Sequence, residues 1–325
     1  MPPSTPQSRR RAKVLLAFSL VGALTPLTTG LPESHSTLAW LLDLASHWQW
    51  VYLVFGGVCA TWLLAIGSYA WALSGLSALA LGWGFASPET YAVVPRPQQS
   101  LTVVTANLHG ENPSPLHGWA ESLGADVVVM QEVTPSVAGE FGRWERFPHR
   151  VVHVQEGPFG LAVLSRHPLA LSEVREAHGQ TPHIRTRVRI GAIEVALSAL
   201  HPMPPVNSHY HVLRAALFES EASWAVGTML PAIIAGDLNA TPWSTAMHPF
   251  AAHGLRRATG LEPTWPALLP AIPIDQVVVS PHWRVVDRGV GPRMGSDHRP
   301  VYVVLGLPST VPNEAEALTN STEEP

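Results

Sequence analysis

The chain has one lysine, Lys13, and one cysteine, Cys59, among its 325 residues. A lone cysteine excludes an intramolecular disulfide and any cysteine-based zinc centre. Positive charge is scarce in the second part of the chain as well, where from Pro95 onward sixteen arginines face twenty-one acids. A domain that grips long duplex nucleic acid usually carries a basic surplus to displace counterions, so this balance argues against extensive duplex binding. The sequence has no Gly-rich phosphate loop, no nucleophile elbow and no H-E-x-x-H pattern, so P-loop, serine-hydrolase and zincin readings fall away. It also has no internal repeat.

Charge is missing altogether from two long stretches near the start. Arg9, Arg10, Arg11 and Lys13 precede residues 14–32, an uncharged run about long enough to cross a bilayer as a helix. Basic residues ahead of such a run place the N-terminus in the cytoplasm. A cleaved signal peptide is the rival reading, although no convincing small-x-small cleavage site follows. Residues 44–88 hold no charged side chain apart from a neutral His47, which suits two further crossings with a reversal at Gly67-Ser68. Trp48, Trp50 and Tyr52 at one border read as interfacial aromatics. Residues 1–90 are thus expected to form a membrane region of about three transmembrane helices. Three crossings make the protein a multi-pass protein of the cell membrane with its remainder extracytoplasmic; two leave the remainder inside.

Residues 91–100, with Pro95 and Pro97, read as a stiff linker. From Leu101 the texture changes to short apolar runs separated by Gly, Pro and charged turns. Strands are expected at 101–106, 126–130, 160–164, 184–190, 193–200, 232–235, 274–279 and 300–305. Helices are expected at 115–123, 208–226 and 244–253. The second of these would be capped by Asn207 or Ser208, with Val212, Leu213, Ala216, Leu217 and Trp224 as its apolar face. Gly191 reads as a hairpin turn, and hairpins mixed with helical crossovers imply mixed sheets. Residues 308–325 are polar and acidic and read as a disordered tail.

Polar residues recur where these strands end. Asn107, Gln131-Glu132, His201, and the pair Asp237 and Asn239 each follow an apolar run, and Ser296-Asp297-His298 precedes the last one. Singly, each is ordinary turn chemistry. Together they supply three carboxylates, carboxamides and two imidazoles, a hard donor set that suits Mg²⁺ or Mn²⁺ beside a substrate phosphate. Asp237 could accept a proton or hold a cation, and Asn239 could hold a phosphoryl or carbonyl oxygen. Asp275 is the candidate acid to orient the His298 ring. A zinc hydrolase built on His201, His209 and His211 is the competing metal reading.

In this order, LTVVTANLHGEN, DVVVMQE, GLAVLSRHPL, HPMPP, IAGDLNATPWS, PIDQVVVS and GSDHRP resemble the endonuclease/exonuclease/phosphatase superfamily over about residues 101–307. HPMPP, PTWP and the apolar N-terminus are similar to its bacterial membrane-anchored members. The resemblance implies an α/β, four-layer αββα sandwich of two mixed β-sheets, preceded here by the transmembrane helices, with the site at one end. It also implies roles. Glu132 would hold the divalent cation, helped by Asn107 and Asp297. Asp237 would orient or deprotonate the attacking water, and Asn239 would hold a phosphate oxygen. His298, oriented by Asp275, would act as base or transition-state donor, and His201 would donate to phosphoryl oxygens or the leaving group. Gln276 departs from the pattern, because a histidine often follows the Ile-Asp pair.

The expected function is therefore a membrane-anchored, metal-dependent phosphodiesterase or endonuclease-like hydrolase. Its partners would be the lipid bilayer and a phosphoester substrate, either nucleic acid or a phospholipid head group. The alternative is a membrane-anchored binding or scaffold protein that kept the fold and lost catalysis.

Overall fold

A computed structural model of the chain describes residues 5–30, 37–86, 100–176 and 180–306. Nearly all of the expected linker, and the expected tail, lie outside the described residues. Among the described residues the helices are α1 (Pro6–Ala23), α2 (Thr37–Ser46), α3 (Gln49–Ala65), α4 (Tyr69–Ala86), α5 (Ser114–Ser122), α6 (Pro135–Gly139), α7 (Ser208–Gly227) and α8 (His248–Ala252). The strands are β1 (Ser100–Asn107), β2 (Val127–Gln131), β3 (His149–His153), β4 (Leu161–Ser165), β5 (Leu169–Arg175), β6 (His183–Ile190), β7 (Ile193–Leu200), β8 (Ala232–Asp237), β9 (Arg256–Arg257), β10 (Asp275–Val279), β11 (Arg284–Val290) and β12 (Val301–Gly306).

The strands form two six-stranded sheets, ordered β11-β12-β1-β2-β4-β3 and β5-β6-β7-β8-β10-β9. Both are mixed, because β1 pairs parallel with β2 and β7 with β8 while their other neighbours run antiparallel. Side-chain alternation builds the layers. Val103, Val129 and Val163 of the first sheet meet Leu197, Ile233 and Val277 of the second in a dry core between the sheets. The residues one step along point outward: Val104, Val128 and Leu164 pack with Leu116 and Trp144, and Ala196, Ile234 and Val278 pack with Phe218 and Phe250. The result is two mixed sheets flanked by helices. All eight expected strands are present. The four that the sequence pattern did not reveal, β3, β5, β9 and β11, are the edges of the two sheets. Edge strands tolerate charge, as in RVVDRGV and LALSEVR, and so lack the continuous apolar run of a strand buried on both faces.

Helix α7 is capped by Asn207, whose side chain accepts from Tyr210 N at 2.8 Å. Its buried face is rotated from the expected one. His211, Arg214, Ala215, Leu217, Phe218, Glu221, Ala222 and Ala225 turn inward, so of the expected face Leu217 is buried, while Val212, Leu213 and Trp224 are half-exposed and Ala216 is exposed. Three polar residues on the inner stripe hide it from an apolar count, and each is paired. Glu221 accepts from Arg185 Nη2 at 2.6 Å and from Ser198 Oγ at 2.8 Å, and its Oε1 lies 3.1 Å from His183 Nε2.

Burial alone would raise the Glu221 carboxyl, but His183 and Arg185 outweigh it and hold it at about 2. Because this folded-state value is below the ordinary one, the contribution to stability is complete above about pH 4.3 and is lost as pH falls toward 2. Melting curves between pH 7 and pH 3 are expected to show a steeper loss in wild type than in Glu221→Gln; equal slopes would contradict this.

Helices α1, α3 and α4 pack against one another around Leu16, Ala60, Leu63, Ala72 and Leu79. Their outer faces carry exposed Val14, Phe18, Val21, Val54, Val58, Trp62, Leu73 and Leu81. The chain reverses at Gly67, φ +77°, as expected. Among the described residues one stretch, Pro6–Thr28, is long and apolar enough to cross a membrane, and α2 with α3 passes the same test only as a pair bent by 65°. By length and composition that is one crossing or two, short of the three expected. Helix α2 begins between the two uncharged stretches and packs against α7. Trp40 Nε1 donates to Pro205 O at 2.7 Å and Trp50 Nε1 to Leu261 O at 2.9 Å, so these helices and the sheets share a joint.

Candidate active site

Topology brings the polar strand ends together. The carboxyl ends of β1, β2, β7 and β8 lie at one end of the sandwich, and β10 and β12 run antiparallel to their neighbours, so their starts lie there too. Asp275 sits directly across from Asp237 in the β8–β10 register. Gly236 lets β8 lie close to β7, because a Cβ there would collide with the Leu200 carbonyl of β7.

Asp237 is the hub. Its Oδ2 receives Asn107 Nδ2 at 3.1 Å and lies 3.5 Å from His201 Nε2 and 3.6 Å from His298 Nε2; its Oδ1 receives Asn239 N at 2.9 Å. The Asn107 bond crosses from the first sheet to the second. The same Nδ2 donates to Glu132 Oε1 at 3.0 Å, and Asn107 Oδ1 accepts from His109 N at 2.9 Å. Asn107 therefore bridges two carboxylates. Asp275 Oδ2 lies 2.9 Å from His298 Nδ1, and His201 Nδ1 lies 2.8 Å from Pro158 O, so each imidazole turns its Nε2 toward Asp237. Asn239 donates through Nδ2 to Pro202 O at 3.0 Å in the loop after His201. Asp297 accepts from Trp265 Nε1 at 3.0 Å, and Gln276 braces the loop by donating to Ala240 O at 2.7 Å.

Two residues of this end were not singled out in the sequence. His109 Nδ1 lies 3.3 Å from Asp297 Oδ1 and 3.6 Å from Glu132 Oε2, between the two carboxylates. Its place two residues after Asn107 was the available signal. Arg214, fully buried on α7, donates to the Asn239 carbonyl. Of the five non-glycine residues with positive φ among the described residues, three are His109, Glu132 and Asn239. Such conformations cost free energy and persist where the surroundings hold them, most often at functional sites.

Electrostatics separates the acids. Burial would raise Asp237, but the rings of His298 and His201 and the Asn239 N–H hold it well below the usual carboxylate range. Burial pushes Asp275 up despite its bond to His298. Burial would lower His298, yet Asp275 and Asp237 overcome this and push it up to about 10. His201 also rises, because its contact with Asp237 and the charges of Asp237 and Glu132 outweigh burial.

Two groups could hold a cation. Asp237, Asp275 and His298 have ligand atoms within 4.8 Å of one another and are, among the described residues, the one such group of three. His201, His209 and His211 form no such group, which removes the zinc reading on those residues; His211 faces Asp43, 3.2 Å away. In the buried trio His298 already engages one carboxylate with each nitrogen, while Asp275 Oδ1 has no hydrogen-bond partner. Glu132 and Asp297 are more open, with side-chain exposures of 18% and 43%, and each has a carboxylate oxygen near one ring nitrogen of His109. Two accessible carboxylates suit a hard divalent ion that keeps part of its water.

Two mixed sheets packed face to face under flanking helices, with a carboxylate and histidine site at one end, define an α/β sandwich of the phosphoesterase class. The chain belongs to the endonuclease/exonuclease/phosphatase family, whose model matches residues 104–298. Members of this family are generally hydrolases of phosphoesters. Among solved structures it is similar to an endonuclease/exonuclease/phosphatase from Bacteroides vulgatus, at 17% identity and TM-score 0.55, covering 65% of this chain and 100% of that one. A family member from Beutenbergia cavernae DSM 12333 matches at 21% identity and TM-score 0.53, covering 65% of this chain and 72% of that one. Truncated Caenorhabditis elegans TDP2 matches at 14% identity and TM-score 0.53, covering 65% of this chain and 100% of that one. At these identities the likeness is one of fold. No curated protein matches the sequence.

Proposed function

We propose that this protein is a divalent-metal-dependent phosphodiesterase tethered to a membrane by its N-terminal helices. The observation that carries the reading is the buried Asp237 side chain, encircled by Asn107, His201 and His298, with the more open Glu132 and Asp297 linked to it through Asn107 and His109. A cation held by Glu132 and Asp297 would offset the negative charge that develops on the phosphoryl oxygens.

This chain's residues do the rest. Asp237, held ionised, orients water for in-line attack on phosphorus and accepts its proton. Asn239 has a second amide N–H beyond the one given to Pro202, and offers it to a phosphoryl oxygen. His298, pushed up by Asp275 and Asp237, enters as a donor stabilising the transition state. His201 donates to the departing oxygen as the ester P–O bond breaks. Membrane attachment is supported by the apolar outer faces of α1, α3 and α4 around an inner seam rich in small residues. Substrates would be phosphodiesters such as nucleic acid fragments or phospholipid head groups.

The test uses the full-length chain in detergent micelles with bis-p-nitrophenyl phosphate and p-nitrophenyl phosphate. Turnover of the diester with Mg²⁺ or Mn²⁺, abolished by EDTA and restored by added metal, is expected. No turnover of either compound would return the protein to the scaffold reading.

A further inference from the structure

Asp43 lies in the N-terminal helical part of the chain, yet its carboxylate is fully buried against the hydrolase domain. Oδ1 accepts from Ser244 Oγ at 2.8 Å, Thr245 N at 2.6 Å and Thr245 Oγ1 at 2.9 Å; Oδ2 accepts from Arg214 Nη2 at 2.8 Å and lies 3.2 Å from His211 Nδ1. A charge held by this many donors forms a specific joint rather than a surface contact.

The partner of interest is Arg214. It is itself buried, and its guanidinium divides between two tasks: Nη2 reaches Asp43, and Nη1 donates to the backbone carbonyl of Asn239. Asn239 holds a left-handed conformation, φ +48°, in which its N–H reaches Asp237 and its side chain reaches Pro202. Asp43 is the acid that Arg214 contacts directly. Without it, a buried cation would be left unneutralised beside the strained residue it braces.

We propose that Asp43 is a positioning residue of the active site, acting through Arg214 to fix the backbone of Asn239, so that the N-terminal helices and the sandwich form one catalytic unit. The inference rests on the hydrolase reading above. Asp43 touches no reacting atom; what it controls is the placement of Asn239 and, through the Asn239 N–H, of Asp237. Small displacements of such groups are costly, since a shift of about 1 Å can lower a rate about 10²-fold.

The test is a double-mutant cycle in the full-length chain: wild type, Asp43→Asn, Asn239→Ala and the double variant, each assayed for kcat and KM on bis-p-nitrophenyl phosphate with its melting temperature. Asp43→Asn keeps the shape and one acceptor oxygen, replaces the other with a donating NH2, and removes the charge. A fall in kcat of roughly 10- to 100-fold is expected, with KM little changed. In the Asn239→Ala background the same substitution is expected to cost about threefold or less, because the effect travels through the residue already removed.

Arg214→Lys is the second probe, since one ammonium cannot serve Asp43 and the Asn239 carbonyl as the guanidinium fork does, and it should lower kcat in the same way. Trp50→Phe loses a different bond of the same joint, to Leu261, and should leave kcat unchanged. Wild-type kcat in Asp43→Asn and Arg214→Lys, or additive losses in the cycle, would overturn the inference while leaving the hydrolase reading standing. No turnover in wild type would overturn both.

Discussion

Asp237→Asn in the full-length chain is expected to lower kcat/KM for a phosphodiester by at least ~10²-fold, the scale of losing a general base or a principal electrostatic group. The substitution keeps the shape of the side chain and removes its charge. It strikes at the centre, because Asn107, His201, His298 and the Asn239 N–H all converge on this carboxylate. The pH profile supplies a second readout. His298 is pushed up to about 10 by Asp275 and Asp237 against the pull of burial. Removing the Asp237 charge takes away part of that support, so the His298 value falls. If His298 works as an imidazolium, the alkaline limb of the profile moves to lower pH in Asp237→Asn. A variant within about threefold of wild type, with an unmoved profile, would remove Asp237 from the chemistry.

Glu132→Gln is expected to weaken Mn²⁺ binding by at least ~10-fold, measured by calorimetry or by the free-ion spectrum, and to raise the metal concentration for half-maximal turnover in step. The argument is again local. Glu132 sits at φ +60° with its side chain partly open to solvent, one oxygen on Asn107 Nδ2 and the other 3.6 Å from His109 Nδ1. A carboxamide there can keep the bond to Asn107 but cannot neutralise a divalent ion. Unchanged Mn²⁺ affinity in Glu132→Gln, with a loss in Asp275→Asn, would move the cation to the buried group of Asp237, Asp275 and His298.

How much of this was legible beforehand depends on burial. Inner strands such as β2 and β8 could be read because both of their faces meet apolar layers, which writes an unbroken run such as VVVM or AIIA into the chain; β6, HIRTRVRI, has no such run and was marked by its pairing with β7 through the Gly191 turn. The edge strands carry arginine, glutamate and histidine and show no such run. On α7 the buried stripe includes His211, Arg214 and Glu221, so counting apolar residues found Leu217 and missed most of the buried face. Candidate site residues could be found one by one, as polar residues at the ends of apolar runs. Arg214 could not, because it sits on a helix with no neighbouring signal, and His109 was marked only by its place two residues after Asn107.

The order of the motifs, the uncharged N-terminal stretches and the acid excess of the remainder belong to the sequence itself, since each is a property of neighbours along the chain. Only the tertiary structure decided that Asn107 of one sheet spans to Asp237 of the other, that His109 stands between Glu132 and Asp297, and that Asp43 neutralises Arg214 from 171 positions away. Those pairings depend on how two sheets and a set of helices are stacked, and a buried charge finds its partner through that stacking rather than through proximity in sequence.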